Sequence, residues 1–383
     1  MLNPVETIAR QFSPQIPIAA VQAFGQGNIN QTFLVTLALA APPLGTLAAP
    51  PKVPVDRHFI LQRINTQVFR QPHLVMQNMR RVSDHVHDRL QRWDGPPDRS
   101  WQMPRVLLTQ DGQDHWIEPD GSFWRAISFI DQAHSFDTVQ HHDHAKEVGY
   151  ALGNFHHLIS DLPAEHLADT LPGFHITPDY LHQYETVLAE QTLANIPEVS
   201  YSLQFVQERH AWASVLEQAK AEGKLQLRPM HGDPKINNIL VDKATGKAVS
   251  IIDLDTVKPG LVHYDIGDCL RSGCNPLGEE TDQWEQVRFE PDLCQAILQG
   301  YCSVASQFLT DQDYAYLYDA IRLIAFELGL RFLTDYLAGN VYFKVNHPTH
   351  NLQRAIGQFK LTESIEAQET TLRQIIQDLQ RSC

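Results

Sequence analysis

The chain has 383 residues, room for two to three domains of roughly 150 residues, and its 43% hydrophobic content is that of a folded protein rather than a disordered one. Five cysteines, an odd number with no C-x-x-C pair, exclude a disulfide scaffold and suit buried thiols in a reducing compartment. A formal net charge of −15 without a dense Lys/Arg run excludes the basic stripe of a nucleic-acid binder and argues against an anionic membrane surface.

From Gln11 to Pro51 there is no Asp, Glu, Lys or Arg, yet the polar run Gln26–Gln31 and prolines 42, 43, 50 and 51 forbid an 18-residue apolar helix there. No export signal fits, because a polar loop precedes Val35–Ala41 where a charged start and an apolar core belong. The expectation is a soluble cytoplasmic protein. Residues 16–24 and 31–39 read as strands around the turn Phe24-Gly25-Gln26-Gly27-Asn28, with Thr32, Phe33, Val35 and Thr36 favouring strand. Residues 41–56, with five prolines, read as a flexible insertion. His58–Ile64 is a third strand. Val75, Met79, Val82, Val86 and Leu90 share one face of a helix over 73–91. Trp116–Ile130 reads as strand broken at Pro119-Asp120-Gly121.

After residue 135 the pattern becomes helical. Ala145, Val148, Leu152, Phe155 and Ile159 form one stripe, and helices are expected over 178–192, 201–222, 290–308, 313–339 and 351–380. Between them Ile239–Val241 and Val249–Ile252 flank Thr245-Gly246 as a hairpin. A β-rich part (residues 1–134) and a helical part (residues 135–383) make an α+β protein of two lobes.

The chemistry concentrates in His231-Gly232-Asp233-Pro234-Lys235-Ile236-Asn237-Asn238, the hairpin, and Ile252-Asp253. Protein kinases carry H-R-D-x-x-x-x-N and a metal-binding Asp beyond it. Asp233 and Asn238 keep the same step, and the chain between Asn238 and Asp253 suffices for a β-hairpin. Phosphoryl transfer needs positioning and charge neutralisation. Asp233 suits the base that orients an acceptor hydroxyl, and Asn238 with Asp253 suits Mg²⁺. The metal would also let an acidic protein hold ATP. Lys235 is placed to touch the transferred phosphate. An isolated H-G-D with Asx turns would arise without function, but would leave the hairpin and the second Asp unexplained.

These residues resemble the aminoglycoside phosphotransferase and choline kinase superfamily, of protein-kinase-like fold. Gly25–Phe33, Phe59–Asn65 with Val68-Phe69, Ile252–Gly260 with Tyr264–Asp268, and Leu330–Leu337 with Tyr342-Phe343 extend the likeness to its N-acetylhexosamine 1-kinase branch. The resemblance implies an N-terminal nucleotide-binding lobe and a C-terminal lobe carrying the catalytic loop and acceptor site. It also implies ATP- and Mg-dependent phosphorylation of a sugar's anomeric hydroxyl.

Other positions carry two readings. Gly25 and Gly27 would let backbone N–H groups approach phosphates, with Asn28 adding a contact, yet a plain hairpin turn looks the same. The third strand lacks the usual Lys. Alternation sends Gln62 and Arg63 to opposite faces, and Arg63 is favoured as the cation that meets phosphate. Glu327, Arg331 and Asp335 share a helical stripe, either as an ion-pair ladder or as a polar wall of the acceptor pocket. The resemblance favours Arg331 and Tyr342 as acceptor-site residues, with Asp335 a weaker candidate. His141, His142 and His144 read as a solvated helix start, His156 and His157 as packing, and Asp265 and Asp268 as helix caps or supports of the catalytic loop. A kinase of another small alcohol (choline, homoserine or an aminoglycoside) and a non-catalytic nucleotide-binding pseudokinase are the alternatives.

Overall fold

The computed structural model describes residues 4–25, 29–38, 57–92, 96, 98–190 and 196–382. The insertion at 41–56 lies outside them, as do Gly27 and Asn28. The chain divides into two compact units, Met1–Gln91 with Gln102–Asp131, and Arg92–Trp101 with Gln132–Cys383.

The first unit holds α1 (Pro4–Phe12), β1 (Ile18–Ala23), β2 (Gln31–Leu37), β3 (His58–Ile64), α2 (Pro72–Leu90), β4 (Val106–Leu107), β5 (Trp116–Ile117) and β6 (Phe123–Ser128). The strands form one antiparallel sheet in the order β1-β2-β3-β6-β4, with β5 also on β6. Each face of this sheet carries a helix. Ile8 and Phe12 of α1 pack with Val35, Phe59, Leu61, Trp124 and Ala126. Val75 and Met76 of α2 pack with Ile64 and Phe123 on the other side. Pro72 opens α2, where its missing N–H costs nothing. The sequence pattern predicted α2 and the first three strands but missed α1, whose nine residues are too short for a periodic signal.

The second unit holds β7 (Ala133–His134), α3 (His142–Ile159), α4 (Thr177–Glu190), α5 (Pro197–Arg209), α6 (Val215–Ala221), β8 (Arg228–Met230), β9 (Ile239–Asp242), β10 (Ala248–Ile251), β11 (Lys258–Gly260), α7 (Val262–Gly273), α8 (Pro291–Ala305), α9 (Asp311–Ala315), α10 (Leu317–Leu337), α11 (His350–Ala367) and α12 (Glu369–Ser382). Three expected helices are each broken in two. The segment 201–222 divides at the 3-10 turn His210–Trp212, 313–339 at Tyr316, and 351–380 at Gln368. Apolar residues recur at helical spacing through each break, so the pattern hides it. Helix α10 lies in the core: Leu323, Ile324, Phe326 and Leu330 join Leu181, Phe205, Leu216, Tyr264 and Phe359 in one cluster.

The strands of this unit are nested. β8 pairs with β11 through Met230↔Lys258, and β9 pairs with β10 through Ile239↔Ile251. Residues 231–238 and 252–257 therefore face each other between an outer and an inner antiparallel pair. The tip of the inner hairpin is closed by Asp242, whose carboxylate accepts the N–H groups of Ala244 (3.0 Å) and Thr245 (2.7 Å), and by Gly246 at φ 69°. Among the described residues no helix is long and apolar enough to cross a membrane.

Candidate active site

The nesting brings the motif residues together. The N–H of Ile252 donates to the carbonyl of Asn238 at 2.8 Å, so Asn238 and Asp253 sit beside one another at the base of the hairpin. Lys235 Nζ donates to Asp233 Oδ2 at 2.6 Å. Asn238 Nδ2 donates to the carbonyl of Asp233 at 2.8 Å and to its Oδ2 at 3.3 Å. Both partners of that amide nitrogen are acceptors, which fixes the orientation of the Asn238 side chain and leaves its Oδ1 unbonded among the described residues. Asp233 Oδ1 is likewise unbonded among them. Burial alone would lower the Lys235 pKa, but the charges of Asp233, then Asp253 and Glu279, outweigh it and hold the ammonium above its ordinary range.

The backbone here enters the left-handed region in two places. Asp253 sits at φ 68°, an uncommon conformation for a residue with a side chain. Gly232 has φ 88°, and a Cβ there would stand 2.7 Å from the carbonyl oxygen of Thr256. Only glycine lets the loop pass Thr256 and turn Asp233 outward.

A buried set of polar side chains holds the loop. Asp265 accepts the N–H of His231 at 2.6 Å through Oδ2 and that of Gly232 at 2.7 Å through Oδ1. Its Oδ2 also meets His156 Nε2 at 2.8 Å, and His156 Nδ1 lies 2.9 Å from the Tyr301 hydroxyl. Burial opposes the Asp265 charge, but His156 and the loop N–H groups hold its pKa below the ordinary carboxylate value. Asp265 thus holds the loop that leads into Asp233. His231 Nε2 donates to the Ile252 carbonyl at 3.0 Å, while its Nδ1 accepts the Asp233 N–H at 3.2 Å. That pattern requires a neutral ring, and burial does push its pKa down. The motif histidine therefore ties the Asp233 loop to the strand leading into Asp253.

Arg331 lies in an aromatic surround, its guanidinium over the rings of Tyr180 (5.0 Å), Phe174 (5.2 Å) and Phe343 (5.5 Å). No hydrogen bond or ion pair joins it to any of the described residues. Burial works against its charge, and the fields of Tyr180, Glu327, Tyr342 and Asp233 outweigh that. Burial pushes the Tyr180 hydroxyl up to about 12. Tyr342 is half exposed, edge-on to Phe343 at 4.8 Å.

Among the described residues the Glu327–Arg331–Asp335 stripe is not an ion-pair ladder. Glu327 accepts from Thr177 Oγ1 at 2.6 Å and meets His175 Nδ1 at 2.8 Å. Asp335 Oδ1 accepts the N–H groups of Val341 (2.9 Å) and Tyr342 (2.8 Å), and its Oδ2 those of Phe343 (3.0 Å) and the Asn351 side chain (2.8 Å). Asp335 is a buried anchor for the loop that carries Tyr342 and Phe343. Both of its oxygens are bonded to donors of its own fold.

In the first unit Gly25 takes the left-handed conformation expected of the turn, at φ 73°. Arg63 lies on the face of β3 opposite to Gln62. It is in step with Phe59 and Leu61 on the α1 face, and its NH2 donates to Ser122 Oγ at 2.5 Å, with Asp120 4.0 Å away. Gln62 is on the α2 face, where its Oε1 accepts from Arg125 Nε (2.9 Å) and NH2 (2.7 Å). Arg125, from β6, also reaches Met79 of α2. The buried cation on that face is therefore Arg125. It escaped the sequence reading because its partner strand was unknown. His175 and Phe174 were missed for a similar reason, since they lie in an irregular segment without periodicity.

The fold has solved counterparts. An aminoglycoside phosphotransferase from Alicyclobacillus acidocaldarius subsp. acidocaldarius superposes with a TM-score of 0.62 at 15% identity, covering 99% of this chain and 97% of that one. A microcompartment-associated aminopropanol kinase gives 0.58 at 16% identity, with 96% and 99% covered. Choline kinase from Cryptosporidium parvum Iowa II gives 0.56 at 15%, with 97% and 96% covered. At these identities the likeness is one of fold, and that fold is protein-kinase-like α+β. Residues 20–302 match the phosphotransferase enzyme family over most of the chain, including the whole Asp233–Asp253 constellation, and the chain belongs to that family.

Proposed function

We propose that the chain is an ATP- and Mg²⁺-dependent kinase of small molecules that phosphorylates the anomeric hydroxyl of an N-acetylhexosamine or a related sugar. Asp233 would orient the acceptor hydroxyl through its unbonded Oδ1 and take its proton as the oxygen bonds to the γ-phosphorus and ADP leaves. Lys235, already on the other oxygen of Asp233, offers its cation to the transferred phosphoryl group. The unbonded amide oxygen of Asn238 and the carboxylate of Asp253 suit Mg²⁺, which keeps most of its coordination for water and phosphate oxygens. Bound there, the ion would supply charge neutralisation for the phosphates. In the first unit the cation for the nucleotide is better sought in Arg125 beside Gln62 than in Arg63.

One observation carries the acceptor reading: Arg331 keeps its charge with no carboxylate bonded to it among the described residues, surrounded by aromatic rings and within the field of Asp233. The two acids on its own stripe are committed elsewhere, Glu327 to Thr177 and His175, Asp335 to the Val341–Phe343 loop. A cationic acceptor would meet a like charge there. A neutral polar ring with hydroxyl and amide oxygens would find a donor and apolar faces. The second reading, a cationic amino alcohol, is favoured by the solved counterparts, which include choline and ethanolamine kinases. Phosphorus NMR of the product from N-acetylglucosamine and ATP separates the two. A sugar 1-phosphate is expected, with no turnover of the 1-O-methyl glycoside. Turnover of choline or kanamycin with every 2-acetamido sugar inert would favour the second reading.

A further inference from the structure

We propose that His175 is a positioning residue, held as a doubly protonated imidazolium clamp between Glu327 of α10 and the carbonyl of Gly232, and that its charge sets the placement of Asp233. The argument begins with the partners of the ring. Nδ1 lies 2.8 Å from Glu327 Oε1, and Nε2 lies 2.8 Å from the carbonyl oxygen of Gly232. A carbonyl oxygen only accepts, so Nε2 carries a proton. Glu327 accepts from Thr177 at its other oxygen, and as a carboxylate it would accept the second imidazole proton at Nδ1. A neutral imidazole facing a protonated Glu327 is the one competing arrangement.

The surroundings fit a cation. The Tyr264 ring is stacked on the imidazole at 5.5 Å, and Phe174 lies against it at 4.0 Å. Around it stand Glu327 from α10, Tyr264 and Asp268 from α7, and Gly232 of the loop before Asp233. Burial disfavours the charge, but Glu327 and then Asp268 outweigh it, and the ring is held above the ordinary histidine value. His175 also takes φ 64°, a strained backbone that its two side-chain bonds hold in place.

The consequence falls on the residue before the base. Asp265 fixes the N–H of Gly232 at 2.7 Å, and His175 fixes its carbonyl. Both peptide groups flanking Gly232 are thereby pinned, and the chain enters Asp233 with little freedom. Loss of the His175 proton turns a charge-assisted clamp into a single neutral bond. Its contribution is complete below the ordinary histidine pKa of about 6.5 and is lost as pH rises through the raised folded value. The proposal also explains why Glu327 is not available to Arg331.

This inference rests on the reading of Asp233 as the base, so its test has one arm independent of activity. In protein labelled with ¹⁵N-histidine, both ring nitrogens of His175, assigned by their loss in His175→Gln or their shift in Glu327→Gln, should be protonated at neutral pH. A ring nitrogen without a proton would overturn the clamp, whatever the enzyme does. In the kinetic arm, His175→Gln should lower kcat by on the order of 10–10² with nucleotide KM little changed, the effect of a misplaced base. Glu327→Gln removes the charge that holds the proton and should bring the alkaline limb of the kcat profile toward neutrality. A Glu327→Gln profile superposing on the wild type while Asp233→Asn is inactive would overturn the positioning role. The same profile with Asp233→Asn still active would mean that the Asp233 reading itself has failed.

Discussion

Removal of the Asp265 carboxylate should cost this protein more stability than almost any other single change, and the size follows from its partners. Asp265 is fully buried and accepts from two backbone N–H groups, at 2.6 and 2.7 Å, besides meeting His156 Nε2 at 2.8 Å. Asp265→Asn keeps one acceptor oxygen but turns an NH₂ group toward a donor. A buried donor left unsatisfied costs about 1–3 kcal/mol, and a hydrogen bond to a charged group contributes about 1.5–3 kcal/mol. The expected loss is therefore about 2–4 kcal/mol for Asp265→Asn and about 4–6 kcal/mol for Asp265→Ala. The assay is urea unfolding followed by far-UV circular dichroism. At a slope of about 3 kcal/mol/M, Asp265→Asn should lower the midpoint by roughly 1 M with the slope unchanged. The pH dependence gives a second reading. The folded pKa of Asp265 is depressed, so its stabilisation is present above the unfolded value of about 3.9 and is lost as pH falls through the folded one. Asp265→Asn should accordingly flatten the acid side of the stability profile. A loss under about 1 kcal/mol with an unchanged acid limb would refute the reasoning, because it would mean the loop does not depend on this carboxylate.

Asp233→Asn should fold and bind nucleotide while kcat falls by on the order of 10²–10⁴, the range for losing a general base; near wild-type turnover would remove Asp233 from that role. Asn238→Ala and Asp253→Ala should each raise the Mg²⁺ concentration needed for half-maximal rate or abolish turnover, and an unchanged Mg²⁺ titration in both would sink the metal assignment. Asp335→Ala orphans the N–H groups of Val341, Tyr342 and Phe343 and should cost about 2–4 kcal/mol in a denaturant melt. The same variant should raise the acceptor KM and leave the nucleotide KM alone; the reverse split would show that the loop does not serve the acceptor.

The sequence by itself determined the parts whose partners are close in the chain. Asp233, Asn238 and Asp253 are legible because a short hairpin joins them, and the turn at Asp242–Gly246 leaves the chain no other short way back. The α+β division, helix α2 and the first strands followed from periodicity, since burying one face of a helix or strand imprints its repeat on the residues. Alternation along β3 likewise placed Gln62 and Arg63 on opposite faces. It could not say which face α2 covers, nor which of the two side chains lies there. That answer needed β6 to arrive beside β3 with Arg125, 63 positions from Gln62. The partners of the Glu327–Arg331–Asp335 stripe were hidden for the same reason. A helix sets which side chains share a side, but what they bond is decided by whatever packs there. For Glu327 that is His175, 152 positions away, and for Asp335 it is a loop folded back from the helix end. Hydrogen bonds between distant segments leave no period in a single sequence. Only the packed chain could decide which acids were spent on holding the fold and that Arg331 has none bonded to it among the described residues.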